Sequence, residues 1–126
     1  MRLTRDPSAL FRECGALLET LVFNEVRAYL AYSGLHYALH YWRTYDGAEV
    51  DLLCETSTGY VAVEVKAARR WERRHQRGLA RLREHLGDKL TGCGVYRGER
   101  SQSWDQTRVL PVLDFLRALW DGDILQ

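Results

Sequence analysis

The stretch Glu49-Val50-Asp51-Leu52-Leu53-Cys54-Glu55, followed after a short gap by Val61-Ala62-Val63-Glu64-Val65-Lys66, decides the predicted fold of this chain. Both runs alternate in the manner of strands and are rich in β-branched or apolar residues, and the turn-forming residues Thr56-Ser57-Thr58-Gly59 lie between them, so they predict a β-hairpin. Asp51, Glu64 and Lys66 place charges where an ordinary sheet carries apolar side chains. Burying a charge is costly unless another ion or a metal compensates it. The hairpin therefore predicts a sheet and, within it, a candidate site.

The register of this hairpin decides what its charges do. If the turn is centred on Ser57-Thr58, Asp51 lies opposite Glu64 with Cβ atoms roughly 5 Å apart. The two carboxylates then repel each other unless a divalent cation is bound between them. If the turn is centred on Thr58-Gly59, Asp51 faces Lys66 instead, and the pair is a surface ion pair worth less than ~1 kcal/mol.

The alternation of side chains along the first strand makes a further prediction. Successive residues of a strand point to opposite faces of the sheet. Val50, Leu52 and Cys54 are therefore expected to share one face, with Asp51 and Leu53 on the other.

The segments on either side of the hairpin predict an α/β fold. Asp6 and Pro7 form a typical helix start, as N-cap and first helical residue, and Gly15 is expected to split or kink the helix that follows. The predicted elements are a helix from Pro7 to about Tyr32, a strand over 37–43, a helix from Arg69 to Leu86, strands over 94–96 and 107–110, and a helix from Val112 to Trp120. This order predicts a three-layer sandwich, in which a mixed central sheet is flanked by helices.

Length and composition describe one domain over residues 1–126. The chain is 46% hydrophobic and 28% charged, as in globular proteins. No apolar run is long enough to span a bilayer, so no membrane partner is expected. Cys14, Cys54 and Cys93 are far apart and odd in number, which favours reduced thiols and a cytoplasmic location.

Positive charge is concentrated between Lys66 and Arg83, although the net charge of the chain is only +1. Arginines along one side of a helix there would contact DNA phosphates and give salt-sensitive affinity. The alternative is a solvated helix whose arginine stems are partly buried. The residues predicted to contact DNA are Arg69, Arg70, Arg73, Arg74 and Arg77.

Three motifs resemble a known family. Gly15-Ala16-Leu17-Leu18-Glu19-Thr20-Leu21-Val22-Phe23-Asn24-Glu25-Val26, Asp46-Gly47-Ala48-Glu49-Val50-Asp51 and Val63-Glu64-Val65-Lys66 occur in this order. The chain is similar to the PD-(D/E)XK nuclease-like domain at the C-terminus of a prokaryotic AAA+ ATPase family, a domain of unknown function. The similarity covers nearly the whole chain and implies a restriction-endonuclease-like fold.

The resemblance also implies a site and an activity. Glu19, Asp51 and Glu64 would be the ligands of one or two Mg²⁺ (or Mn²⁺) ions, and Lys66 the catalytic base or electrostatic stabiliser, in hydrolysis of DNA phosphodiester bonds. Helical spacing places Glu19 on an apolar face, so it is expected to point into the protein; Glu25 lies within the same apolar arc. The alternative for Glu19 is a buried acid paired with an arginine.

Two other classes of function remain open. One is a catalytically inactive nuclease-like module that binds nucleic acid or a partner ATPase. The other is a structural domain that forms a homodimer through its aromatic strand edge and apolar C-terminal helix. Neither an ATPase nor a Gly-rich phosphate loop occurs in these residues, so the chain is expected to be a fragment of a longer protein or a freestanding relative.

Overall fold

The computed structural model describes the backbone of residues 7–126 and the side chains from residue 13 onward. The predicted N-cap Asp6 lies outside this range. The elements in chain order are α1 (Pro7–Ser33), β1 (Leu39–Arg43), β2 (Glu49–Glu55), β3 (Tyr60–Val65), a 3₁₀ helix (Arg73–Gln76), α2 (Arg77–Leu86), a 3₁₀ turn (Gly87–Lys89), β4 (Leu90–Tyr96), β5 (Gln102–Trp104), β6 (Thr107–Pro111) and α3 (Val112–Trp120).

The strands form one mixed six-stranded sheet in the order β1-β2-β3-β4-β6-β5. β3, β4 and β6 are parallel neighbours, whereas β1, β2 and β5 pair antiparallel with their partners. The parallel strands therefore end at the same edge of the sheet, where residues following β3 and β4 come together. Lys66 donates its backbone N–H to the carbonyl of Val95 at 2.8 Å, which continues this pairing beyond β3.

Helices cover both faces of the sheet. On one face α1 and α3 bury Val22, Val26 and Phe115 against the strands. On the other face α2 buries Leu79 and Leu82. The predicted α/β sandwich with a mixed central sheet is confirmed.

The β2–β3 hairpin has the first of the two predicted registers. Leu52 pairs with Val63 and Glu55 with Tyr60, so Asp51 and Glu64 stand at the next opposed position. The alternative register, with Asp51 opposite Lys66, is wrong. The register follows from the four-residue turn, in which the N–H of Thr56 donates to the carbonyl of Gly59 at 2.7 Å.

A β-bulge interrupts the alternation of β2, so the predicted division of its faces is wrong. His40 pairs with Leu53 and Trp42 with Val50, which leaves Asp51 and Leu52 together opposite Tyr41. One extra residue reverses the alternation beyond it. Val50 therefore packs with Leu53 on the α2 face, while Leu52 and Cys54 pack on the α1 face.

Gly15 does not split α1, because the helix is continuous from Pro7 to Ser33. A Cβ atom at Gly15 would lie 3.9 Å from Ala67, so α1 passes close to the segment after β3 at this residue. The predicted helix from Val112 to Trp120 is confirmed as α3. The cysteines are all free thiols, as predicted.

The predicted helix from Arg69 begins only at Arg73. Trp71 is buried against the sheet, where a Cβ atom at Gly94 would lie 2.6 Å from its ring, and its indole N–H donates to Gln76 at 2.9 Å. Glu72 is accordingly extended, with φ of −118° and ψ of 163°. Docking of the tryptophan on the sheet therefore overrides the helical pattern of the preceding residues.

Strand β5 was not predicted. It forms a hairpin with β6 in which Trp104 pairs with Thr107 and only Asp105 and Gln106 lie between. Both turn residues have positive φ, 44° and 70°. Such turns usually carry Asn-Gly or Asp-Gly, so this sequence lacks the expected signal.

Candidate functional site

Asp51 lies where the pairing of β2 and β3 ends. Its Oδ2 accepts the backbone N–H of Val65 at 2.7 Å, so the carboxylate occupies the place of a ladder partner between the two strands. The bulge at Asp51 and Leu52 turns the side chain out of the regular alternation. Asp51 is half-buried, and it lines a cavity under α1.

Glu64 lies beside Asp51 and is almost completely buried, with 2% of its surface exposed. It is covered by α2, where a Cβ atom at Gly78 would lie 3.3 Å from Glu64 Oε2. The Nζ atom of Lys66 lies 4.0 Å from the same Oε2. Glu64 Oε1 is buried without a hydrogen-bond partner. Glu64 thus has a buried carboxylate oxygen that accepts no hydrogen bond from the surrounding residues.

Burial raises the pKa of Glu64 far above its usual range, and a hydrogen bond with Asp51 and the Asp51 charge raise it further; Lys66 opposes the shift. A protonated Glu64 can donate to the neighbouring carboxylate, which removes the repulsion between the acids.

Glu19 is exposed, so the prediction that it points into the protein is wrong. The residues that α1 buries near it are Val22 and Val26 instead. Glu19 nevertheless lines the same cavity of about 250 Å³ as Asp51. Partial burial, and then the charge of Asp51, raise the pKa of Glu19. The alternative of a buried acid paired with an arginine finds no support among the described residues, where Glu19 forms no ion pair.

Tyr41 and Glu49 are neighbours of the site that sequence analysis missed. Tyr41 lines the cavity with Glu19 and Asp51, and its hydroxyl donates to the Glu49 carboxylate. This hydrogen bond raises the pKa of Tyr41. Tyr41 reaches the site because it stands opposite the bulge, a feature that no pattern in the sequence indicated.

The structure brings together two of the three predicted carboxylates, Asp51 and Glu64. Glu19 faces Asp51 across the cavity, whereas Glu64 does not line that cavity. In the part of the chain that the structure describes, no three His, Cys, Asp or Glu side chains are arranged to hold a metal ion. The predicted three-carboxylate ligand set is therefore not assembled.

Comparison with known families identifies the chain. Residues 14–115, most of its length, match the family model described as Domain of unknown function (DUF4143). The chain belongs to the DUF4143 family. No curated protein and no solved structure matches it.

The basic residues of this DUF4143 domain divide into two groups. Those on and beside α2 are largely engaged: Arg74 with Glu72 at 2.8 Å, Arg81 with Asp46 at 2.7 Å, and Arg77 with the Asp46 carbonyl at 3.3 Å. Arg69 and Arg70 precede the helix because residues 69–72 are not helical. They line a separate groove. The prediction that Arg69 and Arg70 lie on the same helix as the other arginines is therefore wrong, although all five residues predicted to contact DNA are exposed.

Gln76 of the DUF4143 domain is a structural residue. It is buried, accepts the Trp71 indole N–H, and donates its amide to the Thr107 hydroxyl at 3.2 Å. It thereby joins the segment before α2 to β6.

In the described range 7–126, no helix has both the length and the apolar character needed to cross a bilayer.

Proposed function

We propose that this DUF4143 domain is a metal-dependent hydrolase of DNA phosphodiester bonds, with a PD-(D/E)XK, restriction-endonuclease-like arrangement of its sandwich. The observation that carries the proposal is that Asp51 and Glu64 lie beside each other where the pairing of β2 and β3 ends. The Lys66 ammonium lies 4.0 Å from Glu64. Two acids and a base at a sheet edge cost stability in the absence of a ligand. A bound cation and phosphate would compensate that cost.

The residues present fit a hard divalent cation. Asp51 and Glu64 offer oxygen ligands, and the unpartnered Oε1 of Glu64 is an acceptor without a donor. Mg²⁺ is commonly bound by one or two carboxylates, with water and phosphate oxygens completing its shell. Asp51 and Glu64 would therefore hold Mg²⁺ or Mn²⁺, and Glu64 would release its proton on binding. The ion would lower the pKa of a bound water and neutralise charge on the phosphate.

Lys66 and Glu19 have supporting roles in this proposal. The side chain of Lys66 is 36% exposed, so its ammonium can contact both Glu64 and a bound phosphate. There it would offset the extra negative charge of the transition state. Glu19 lies across the cavity from Asp51, and its raised pKa suits a group that accepts a proton from an attacking water.

A second candidate is a catalytically inactive nuclease-like module that binds nucleic acid or a partner ATPase. Two observations favour it: no third carboxylate converges on Asp51 and Glu64 among the described residues, and α2 covers Glu64. A structural domain that forms a homodimer is the other class of function, and the exposed Leu113 and Trp120 of α3 would suit such an interface.

Nicking of supercoiled plasmid in the presence of Mn²⁺ separates the two candidates. The wild-type domain is expected to nick the plasmid, and Asp51→Asn to lose the activity. Glu55→Gln is the matched control, because Glu55 is an exposed acid at the other end of β2. Equal activity of wild type and Asp51→Asn would reject the proposed site. A wild-type protein that binds DNA but never cleaves it would support the inactive module.

A further inference from the structure

The loop after β4 and the segment after β3 form the walls of a basic groove. The groove has a volume of about 670 Å³. Four arginines and one carboxylate line it: Arg69, Arg70, Arg97, Arg100 and Glu99. The sequence pattern predicted a helix at Arg69 and Arg70 and indicated no role for Arg97 and Arg100. Their convergence depends on the parallel pairing of β3 with β4, which places two distant segments at one edge of the sheet.

These four arginines are available to a ligand. Among the described residues, no carboxylate forms an ion pair with any of them. The Arg97 guanidinium donates to the Cys14 sulfur at 3.5 Å. Arg74 and Arg81, by contrast, already pair with Glu72 and Asp46. The groove therefore brings together four arginines whose charges no carboxylate pairs with among the described residues.

The wall that carries Arg97 and Arg100 is held by its backbone. The Tyr96 hydroxyl donates to the Arg100 carbonyl and accepts a hydrogen bond from the Gln102 amide at 3.0 Å. Gly98 lies directly on the Tyr96 ring, where a Cβ atom would collide. The loop is thus ordered without help from its arginine side chains. A preorganised loop lowers the entropy cost of binding.

The groove adjoins the candidate active site. Arg97 donates its backbone N–H to the Ala68 carbonyl at 3.0 Å, two residues beyond Lys66. Arg69 follows Lys66 by three residues, which an extended chain spans in at most about 11 Å. Successive nucleotides of one DNA strand rise about 3.4 Å each, so a strand held at Lys66 would reach the groove within about three nucleotides.

We infer that this groove binds backbone phosphates of the DNA substrate on one side of the bond to be cleaved, with Arg97 and Arg100 as contacts in addition to Arg69 and Arg70. The inference rests on the proposed function for its choice of DNA. Guanidinium groups bind phosphate through paired N–H donors, so such a groove suits a phosphodiester chain. The groove extends the proposed DNA contacts from α2 to the edge of the sheet where the parallel strands β3 and β4 end.

Equilibrium binding of a fluorescein-labelled DNA duplex, measured by anisotropy in EDTA at several salt concentrations, tests the inference apart from cleavage. The double variant Arg97→Gln/Arg100→Gln is expected to bind at least about tenfold more weakly, with a log–log salt slope smaller by about 2. The matched control Arg108→Gln/Arg117→Gln removes the same charge from exposed positions outside the groove, and it should bind like the wild type.

An unchanged affinity and slope for Arg97→Gln/Arg100→Gln would overturn the inference, as would equal weakening by the control. Circular dichroism confirms that each variant is folded before its binding is interpreted. Because EDTA removes any metal, failure of the metal site leaves this result intact. A domain that binds through the groove but never cleaves DNA would refute the proposed hydrolase and retain the groove.

Discussion

Asp51 accepts the backbone N–H of Val65 at 2.7 Å, in the position that the next pair of the β2–β3 ladder would otherwise occupy. This single hydrogen bond places a carboxylate against the buried acid of Glu64. It also accounts for why the strands part at this point, since the side chain takes over a donor that a backbone carbonyl would satisfy. Asp51 is thus both a structural residue of the sheet and the centre of the candidate site.

Asp51→Asn should separate these two roles. The amide oxygen of asparagine can still accept from Val65, so the melting temperature is expected to stay within a few degrees of the wild type. Its neutral side chain is a poor cation ligand, and the Mn²⁺ affinity should fall by about tenfold or more. Titration calorimetry measures the affinity and differential scanning calorimetry the melting temperature. An unchanged Mn²⁺ heat would place the ion elsewhere.

Glu64→Gln should stabilise the metal-free protein at alkaline pH. The folded-state pKa of Glu64 is raised above the ordinary value of 4.5. Its stabilising contribution is therefore complete below that value and is lost as pH rises towards the folded-state pKa. Glutamine cannot ionise and can still donate to Asp51. At about pH 8 the variant should gain 1 kcal/mol or more in free energy of unfolding.

Urea denaturation in EDTA across a pH series measures this difference, which should vanish as the pH approaches 4.5. The exposed acid Glu55 provides the control, because Glu55→Gln should show no such pH-dependent gain. A wild type whose stability exceeds that of Glu64→Gln at alkaline pH would show that Glu64 is ionised and well compensated.

Gly78→Ala should destabilise the domain, against ordinary helix propensity. Alanine within a helix is usually about 1 kcal/mol better than glycine. Here a Cβ atom would collide with the Glu49 carbonyl and lie 3.3 Å from Glu64 Oε2, and such overpacking costs roughly 1–3 kcal/mol. The exposed Ala80 on the same helix tests propensity alone: Ala80→Gly should cost about 1 kcal/mol. Urea denaturation compares the two variants. A Gly78→Ala variant that is more stable than the wild type would show that α2 is not closely packed against Glu49 and Glu64.

Lys66→Met should reduce cleavage without weakening cation binding. The lysine is a cation close to Glu64 and cannot be a ligand, so its removal leaves the Mn²⁺ affinity equal or higher. The cleavage rate is expected to fall by about 100-fold, because the positive charge that offsets the extra negative charge of the transition state is removed. Single-turnover nicking and titration calorimetry measure the two effects. Loss of Mn²⁺ binding in this variant, but not in Lys89→Met, would mean that Lys66 organises the site and does not act in chemistry.

The local sequence accounts for the elements that neighbouring residues specify. The turn residues between β2 and β3 and the apolar pattern on either side predicted the hairpin and limited its register to two alternatives, one of which places Asp51 opposite Glu64. The helix α3 was predicted at its observed bounds, because its apolar spacing and the preceding Pro111 are local signals. The hairpin of β5 and β6 escaped prediction for the same reason, since Asp105 and Gln106 are not typical residues of a positive-φ turn.

Residues distant in sequence decided the rest of the candidate site. The bulge at Asp51 exists only in relation to β1, and it reversed the predicted faces of β2. Trp71 docks on Gly94 of β4, which kept Arg69 and Arg70 out of the helix. Glu19 had the spacing of a buried residue, yet it is exposed, whereas Val22 and Val26 of the same helix are buried in the core.

By itself, therefore, the sequence determined the class of fold, the β2–β3 hairpin and its two candidate registers, because these depend on alternation and turn residues close along the chain. The tertiary structure alone decided that Glu64 is buried beneath Gly78, that Glu19 stands across a cavity from Asp51, and that Arg97 and Arg100 join Arg69 and Arg70 in one groove. Those relationships arise where strands pair and helices pack. Their energies come from contacts between segments that no local pattern records.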